Sequence, residues 1–390
     1  MVKALGIDPG TKSFDVVVIE EDRVVWEESV STEKLAFNPS ILIKTVEKVD
    51  DVVLIAGPSG YGTPIVCNTD IVDPEVFARE ILLLTSVGEI EEGVKRGELG
   101  IAVYKALVDI VVEFWKSKLP VCYIPSVVLL PTIPIYRKFN KIDMGTADKL
   151  AVAVLGVYDH CREYGVEYSE ADFVLVEMGF GYNAVIGVEK GRIVDGYGGT
   201  LTPMGFLTIG PIDAEVVVAG KNWIRSDVFH GGVSTVCKTL SIEEALEKRE
   251  EDPYCKQAFE AMYENLYRIV IGMVKTLSKP REILLSGRLT RYKEIYDETT
   301  SRFEKILPVR RIKGLRGASF SKEAGQGYAV VAEGIANGYF KELIKHMGIL
   351  QARGTVMDWV IHPRLADARE RLVNAYKKSV KPETLARILG

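Results

Sequence analysis

The sequence predicts a mixed α/β fold built as two similar layered domains. Three observations lead there. Residues 4–25 (ALGIDPGTKSFDVVVIEEDRVV) and 173–194 (FVLVEMGFGYNAVIGVEKGRIV) align without a gap at an offset of 169 positions. Apolar β-branched runs alternate with stretches of helical periodicity, the pattern of layered α/β proteins. At 390 residues the chain is long enough for two or three hydrophobic cores.

Each copy of the repeat opens on an apolar strand that ends in a carboxylate, Asp8 or Glu177. A Gly-bearing turn follows, with Gly10 matched to Gly179, then a second β-branched strand, a charged bend, and Arg23 or Arg192 opening a third strand. Repeats of this length usually belong to stacked arrays, whereas two copies half a chain apart point to two similar domains. Two acid-tipped hairpins facing across a cleft suit the grip of a nucleotide polyphosphate and its metal.

The remaining elements follow in order. A strand is expected at residues 52–56, then a Gly/Pro-rich loop at 57–64, and helices over 77–84 and 101–115. A β-rich segment at 121–130 leads through prolines to residues 142–149, where Thr146 or Asp148 is placed to cap a helix running to 162. A polar joint at 163–172 marks the boundary. The expected organisation is an N-terminal domain at 1–168, a second domain at 169–338, and a helical extension at 339–390. Within the second domain come the Gly-rich residues 196–220, helices over 242–277, a strand at 282–285, the turn Ser286-Gly287-Arg288, and a small-residue helix at 329–336.

Composition narrows the function classes. A net charge of −5 argues against a nucleic-acid surface, which needs clustered Lys and Arg. Residues 309–313 (VRRIK) are the local exception and read as a solvated strand edge. No apolar run reaches the roughly 18 residues of a membrane span. Met1-Val2-Lys3 leads straight into a strand, so no secretion signal is expected. The five cysteines show no paired spacing, and the reading is a reduced, cytoplasmic protein without disulfides or zinc.

Three segments could carry chemistry. In Asp8-Pro9-Gly10-Thr11-Lys12-Ser13, a turn rich in Gly, Thr and Ser offers N–H groups and hydroxyls to phosphate oxygens. The carboxylate before it can hold a Mg²⁺ or accept a proton. A plain hairpin turn uses the same residues for backbone reasons, and the second copy, Gly179, Gly181, Tyr182 and Asn183 after Glu177, is what favours function. Ser286-Gly287-Arg288 after a strand lets backbone approach a flat ligand such as adenosine. Gly325, in the run 324–336 of small residues, permits close helix–helix approach, through a hinge or through simple core packing. There is no Gly-x-x-x-x-Gly-Lys-[Ser/Thr] loop, no strand–GxGxxG–helix fingerprint and no Gly-x-Ser-x-Gly elbow.

Taken in order, the two acidic hairpins, the helix after Asp148, the strand–Ser-Gly–helix and the small-residue helix resemble the actin-like ATPase superfamily of sugar and acetate kinases, Hsp70 and actin. The resemblance covers about residues 3–338 and implies a two-domain, ribonuclease H-like fold with a nucleotide cleft between the domains. Within it, residues 5–13 (LGIDPGTKS), 147–153 (ADKLAVA), 190–195 (KGRIVD) and 323–329 (EAGQGYA) are similar to butyrate and acetate kinases. The chain resembles the archaeal group described as predicted butyrate kinases. Butyrate kinases usually carry Asn at the position of Asp8 and His at that of Glu177, and their catalytic Arg falls on Met204-Gly205 here.

The resemblance implies an ATP- and Mg²⁺-dependent phosphotransferase on a small molecule, with butyrate as the inherited acceptor. Asp8, Glu177 and Asp148 would be catalytic, and Asp8 and Glu177 would organise the metal. Gly10, Thr11, Lys12, Ser13, Gly179, Gly181, Tyr182 and Asn183 would hold phosphates. Ser286, Gly287, Arg288 and Gly325 would complete the nucleotide site. Two alternatives stay open: an ATPase that drives a conformational change in a protein partner, and a nucleotide-binding regulator without turnover. No nucleic acid or membrane partner is expected, and a homodimer is left open.

Overall fold

The structure is a computed structural model describing residues 1–96 and 98–390. The chain divides into two compact units, one of residues 1–171, 190–195 and 313–390, the other of residues 172–189 and 196–312.

The first unit is built on a six-stranded sheet of β1 (Lys3–Pro9), β2 (Ser13–Glu20), β3 (Arg23–Ser31), β4 (Leu54–Ala56), β5 (Val66–Cys67) and β6 (Val121–Tyr123), in the order β3-β2-β1-β4-β6-β5. β1, β2 and β3 form an antiparallel meander, and β4 and β6 extend it in parallel from β1. Ala4, Leu5 and Ile7 of β1 and Val16 to Ile19 of β2 are buried without alternation, as expected of strands covered on both faces.

One cover is the helix Glu323–Ile335, which packs on β1, on β2 and on the helix Ala147–Tyr164. Its small residues explain the contact. A Cβ on Gly6 would lie 2.2 Å from Ala329 N, and one on Gly327 would lie 2.1 Å from Ala151 O. Backbone meets backbone on both sides of this helix, so the small-residue run serves packing inside one unit.

The other sheet is five-stranded, of β7 (Phe173–Met178), β8 (Asn183–Glu189), β9 (Arg192–Tyr197), β10 (Glu282–Ser286) and β11 (Val309–Arg311), in the order β11-β10-β7-β8-β9. Read from the other edge, this repeats the first five strands of the first sheet. The agreement extends to register. Leu5 faces Val18 and Asp8 faces Asp15 across the first hairpin; Val174 faces Gly187 and Glu177 faces Ala184 across the second. The same offset of 169 positions that aligns the sequences therefore aligns the cross-strand pairs. The long helix Pro253–Thr276 packs on β7 and β8, with a Cβ on Gly187 only 2.6 Å from Met273 Sδ.

Two expectations are corrected. The cysteines pair after all, Cys67 with Cys122 and Cys237 with Cys255, leaving Cys161 as a buried thiol. Cys67 and Cys122 are cross-strand neighbours on β5 and β6, a proximity created by sheet pairing and invisible in sequence spacing. The helix expected over 77–84 forms as a π-helical segment, Phe77–Leu82. Among the described residues, no helix is long and apolar enough to cross a membrane.

Candidate functional site

In the first unit, β1 delivers Asp8 to its C-terminal end, where the carboxylate is buried. The Lys322 ammonium forms an ion pair with it and also donates to Ser13 O (3.0 Å). Lys322 stands at the N-cap position of the helix Glu323–Ile335, and its backbone N–H donates to Asp15 Oδ2 (2.8 Å). Gly10 is required by this arrangement, since a Cβ there would lie 2.2 Å from Lys322 Nζ and 2.7 Å from Ser13 O. Thr32 Oγ1 donates to Gly10 O (2.7 Å) and Thr32 N to Lys12 O (3.1 Å), fixing the turn. Thr11 and Lys12 are exposed and Ser13 half-buried, its hydroxyl donating to Asp15 Oδ1 (3.0 Å).

Burial pushes the Asp8 carboxyl above its ordinary range; Lys322 opposes the rise, and the charges of Asp148 and Asp15 add to it. Asp148, in the first turn of the helix Ala147–Tyr164, behaves oppositely. Burial disfavours its charge, but Lys149 Nζ (2.6 Å) and Thr146 Oγ1 (2.5 Å) donate to it and hold it below the usual carboxylate range. Thr146 occupies the N-cap position but spends its hydroxyl on Asp148, so the expected side-chain cap is not formed.

Asp143 is a site candidate that the sequence did not single out. It accepts from Gly145 N (2.8 Å), and burial, reinforced by Asp148, raises its carboxyl to about 6. Residues 142–149 were legible as a loop entering a helix, but nothing in the sequence reveals the burial that distinguishes Asp143 from Asp148. Asp143 and Asp148 are five residues apart, and their surroundings push their proton affinities in opposite directions.

In the second unit, Glu177 is the last but one residue of β7 and is buried. It lies level with Ser286 of β10. Two glycines give it room: a Cβ on Gly287 would lie 2.6 Å from Glu177 Oε1, and one on Gly179 would lie 3.4 Å from both carboxylate oxygens. Gly287 has φ +96°, a backbone conformation that also favours glycine. Thus the second hairpin and the Ser286-Gly287-Arg288 turn, far apart in sequence, are neighbours. Gly179 N donates to Tyr182 O (2.9 Å) to close the hairpin turn.

The turn is backed by residues 202–208. Asn183 Nδ2 donates to Met204 O (3.2 Å), Thr202 Oγ1 to Asn183 O (2.9 Å) and Thr208 Oγ1 to Gly181 O (2.9 Å). Asn183 is fully buried and its Oδ1 has no partner among the described residues. Met204 and Gly205 lie directly beside these phosphate-loop candidates. Arg288 opens the short helix Arg288–Arg291 after Gly287. Gly325 packs in the first unit instead, where a Cβ would meet Val17 Cγ2 at 3.0 Å, so helix–sheet contact accounts for it.

The two sheets with the same strand order, each with an acid-ended first strand and a glycine turn, are the frame to compare with known proteins. Residues 6–362 match the family described as protein of unknown function (DUF1464). The chain belongs to the DUF1464 family. No curated protein matches this DUF1464 chain. Among solved structures, an acetate kinase from Entamoeba histolytica is similar with a TM-score of 0.51 at 12% identity, over 78% of this chain and 87% of its own. A propionate kinase from Francisella tularensis subsp. tularensis SCHU S4 gives 0.57 at 11%, over 84% and 98%. An acetate kinase from Porphyromonas gingivalis gives 0.53 at 14%, over 83% and 93%. At these identities the likeness is one of fold, and the DUF1464 chain has the two-domain actin-like ATPase architecture.

Proposed function

We propose that this protein is an ATP- and Mg²⁺-dependent phosphotransferase acting on a small molecule. The observation that carries the reading is the acid-ended, glycine-turned hairpin built twice in one cross-strand register, with Asp8 and Glu177 at equivalent positions. Backbone N–H groups and hydroxyls of residues 10–13 and 179–183 are suited to phosphate oxygens. The Ser286-Gly287-Arg288 turn is suited to the nucleoside, because Gly287 leaves the backbone bare.

Asp8 and Glu177 are each the kind of oxygen ligand that Mg²⁺ takes, since that ion binds one or two carboxylates and fills its remaining positions with waters and phosphates. That requirement is compatible with the absence, among the described residues, of any group of three or more His, Cys, Asp and Glu that could hold a metal. When bound with ATP, Mg²⁺ neutralises the phosphate charge during transfer. The chain's own residues do the rest: Lys322 opposes the rise that burial imposes on the Asp8 carboxyl, Lys149 and Thr146 hold the Asp148 carboxyl low, and burial raises the Asp143 carboxyl to about 6.

The test is incubation with ATP and Mg²⁺ and a panel of small acceptors, following ADP release and ATP binding. Acceptor-dependent release is the expected result. Acceptor-independent release would identify an ATPase, and binding without release a regulator. Failure to bind ATP overturns the proposal.

A further inference from the structure

Between residues 209 and 230 the second unit sends out a strap that leaves and returns at one antiparallel bridge, Thr208 to Gly231. The base is firmly stitched. Gly232 N donates to Leu207 O (3.0 Å), Val233 N to Gly205 O (3.1 Å) and Ser234 N to Phe206 O (2.8 Å). Beyond it the strap carries a seven-residue helix, Ala214–Gly220 (AEVVVAG), in which no residue is buried. Val216 is 52% exposed, Val218 76% and Ile224, just past the helix, 41%. Trp223 folds back on the helix end, where a Cβ on Gly220 would lie 2.8 Å from its Nε1.

Such a helix breaks the pattern of a solvated one. Successive residues point about 100° apart, so Val216, Val217 and Val218 spread apolar surface around much of the circumference and leave no polar face. A helix this short has little stability of its own in water, and packing is what normally holds one. Its start is capped, Asp213 Oδ1 accepting from Glu215 N (2.9 Å), yet Val216 and Val218 stay uncovered.

The charges around the valines decide what fits them. Glu215 stands in the first turn and Lys221 directly after the helix; both are exposed, and neither forms an ion pair among the described residues. Val218 lies midway between them in the sequence. Two such helices laid antiparallel about a twofold axis at Val218 bring each Glu215 beside the partner's Lys221, with valine against valine. A surface that meets itself must be complementary to itself, and opposite charges placed symmetrically about an apolar centre have that property. The strap's 22 residues, 209–230, also match the roughly 20–30 that one partner contributes to a stable interface.

We infer that the strap of residues 209–230 is the docking surface for a second copy of this chain, paired helix to helix and antiparallel through Val218. The inference goes beyond the phosphotransferase reading and does not depend on it.

The experiment is sedimentation velocity and light scattering of the full chain over the micromolar range. The expected result is a mass about twice the 43.2 kDa of one chain. Val218→Asp sets two like charges against each other on the axis and should raise the dissociation constant about a hundredfold or more. Its circular dichroism should be unchanged, because the side chain is exposed. Glu215→Lys and Lys221→Glu should each weaken self-association about tenfold, since two opposite pairs become two like ones. Mixed in equal amounts, these two variants should dimerise again, because every pair across the axis is then opposite. Neither a misfolded variant nor a dimer through another face recovers on mixing. A chain that stays monomeric throughout the range overturns the inference. A dimer indifferent to Val218→Asp, or charge variants that fail to recover together, overturns it as well. So does a monomeric chain that sediments with phosphatidylcholine vesicles while Val218→Asp does not, since lipid then covers the valines. ATP binding is measured on the same samples, and a strap-dependent dimer that binds no ATP supports this inference while overturning the phosphotransferase reading.

Discussion

Lys322 pairs with Asp8, and the same ammonium reaches Ser13 O at 3.0 Å, so one cation from a late helix neutralises the acid and braces the turn of the first hairpin. Lys322→Met is expected to push the Asp8 carboxyl higher still, since burial already raises it and Lys322 is what opposes the rise. The acid limb of the pH–rate profile should move up by about one unit or more. Stability should fall by about 3–5 kcal/mol near neutral pH, the cost of stripping a buried charge of its partner. Urea unfolding of the variant and its kcat/KM against pH check both statements.

Asp8→Asn keeps the shape of the side chain and removes its charge. Turnover should fall by about a hundredfold or more, with a cooperative melt retained. An Asp8→Asn protein with normal ADP release would place Asp8 outside the site.

Asp143 sets a pH dependence of stability with a definite sign. Its carboxyl moves from an ordinary value of 3.8 to about 6 in the fold. Between those values the folded state holds the extra proton, so the contribution is complete below the lower value and is lost as pH rises through the upper one. Asp143→Asn should flatten this fall, worth up to about 3 kcal/mol, in denaturant midpoints measured from pH 4 to 7. Asp148, Lys149 and Asp8 remain in the variant, and Asp148 contributes the opposite slope.

Glu282 is 1% exposed and accepts two hydrogen bonds from Arg310, at 2.7 and 2.8 Å, across β10 and β11. Arg310→Ala should destabilise the second unit by about 3–5 kcal/mol, because the buried Glu282 loses the cation and the two hydrogen bonds that Arg310 supplies. Replacing both by methionine should recover most of the loss. Calorimetry of the single and double variants separates the two cases.

Thiol titration checks the disulfides directly. Unfolded but unreduced protein should show the single thiol of Cys161, and reduced protein all five. The bridges close separations of 55 and 18 residues. In the chain-entropy account, reduction should cost about 4 and about 3 kcal/mol respectively.

Much of this architecture can be read from residues 4–25 and 173–194, because a hairpin's period-two packing and its turn leave a direct imprint on the sequence. Asp8, Gly10, Glu177 and Gly179 take the strand-end and turn positions that their spacing implies. Contacts between distant segments leave no such imprint. The Lys322–Asp8 pair, the meeting of Glu177 with Gly287, and the Cys67–Cys122 pairing all join segments far apart in the chain. Asp143 and Asp148 read alike as letters and differ only through burial and the partners that Lys149 and Thr146 provide. The domain boundary expected at residue 168 likewise gave no sign that residues 313–390 pack in the first unit.

That late return has a consequence for biosynthesis. Ribosomal synthesis usually lets the earliest-made domain mature first. Here the helix that covers β1, and the lysine that neutralises Asp8, emerge only after residues 196–312 are finished. The segment made later can reach its final packing earlier, while the first hairpin waits with an uncompensated acid and a bare apolar sheet.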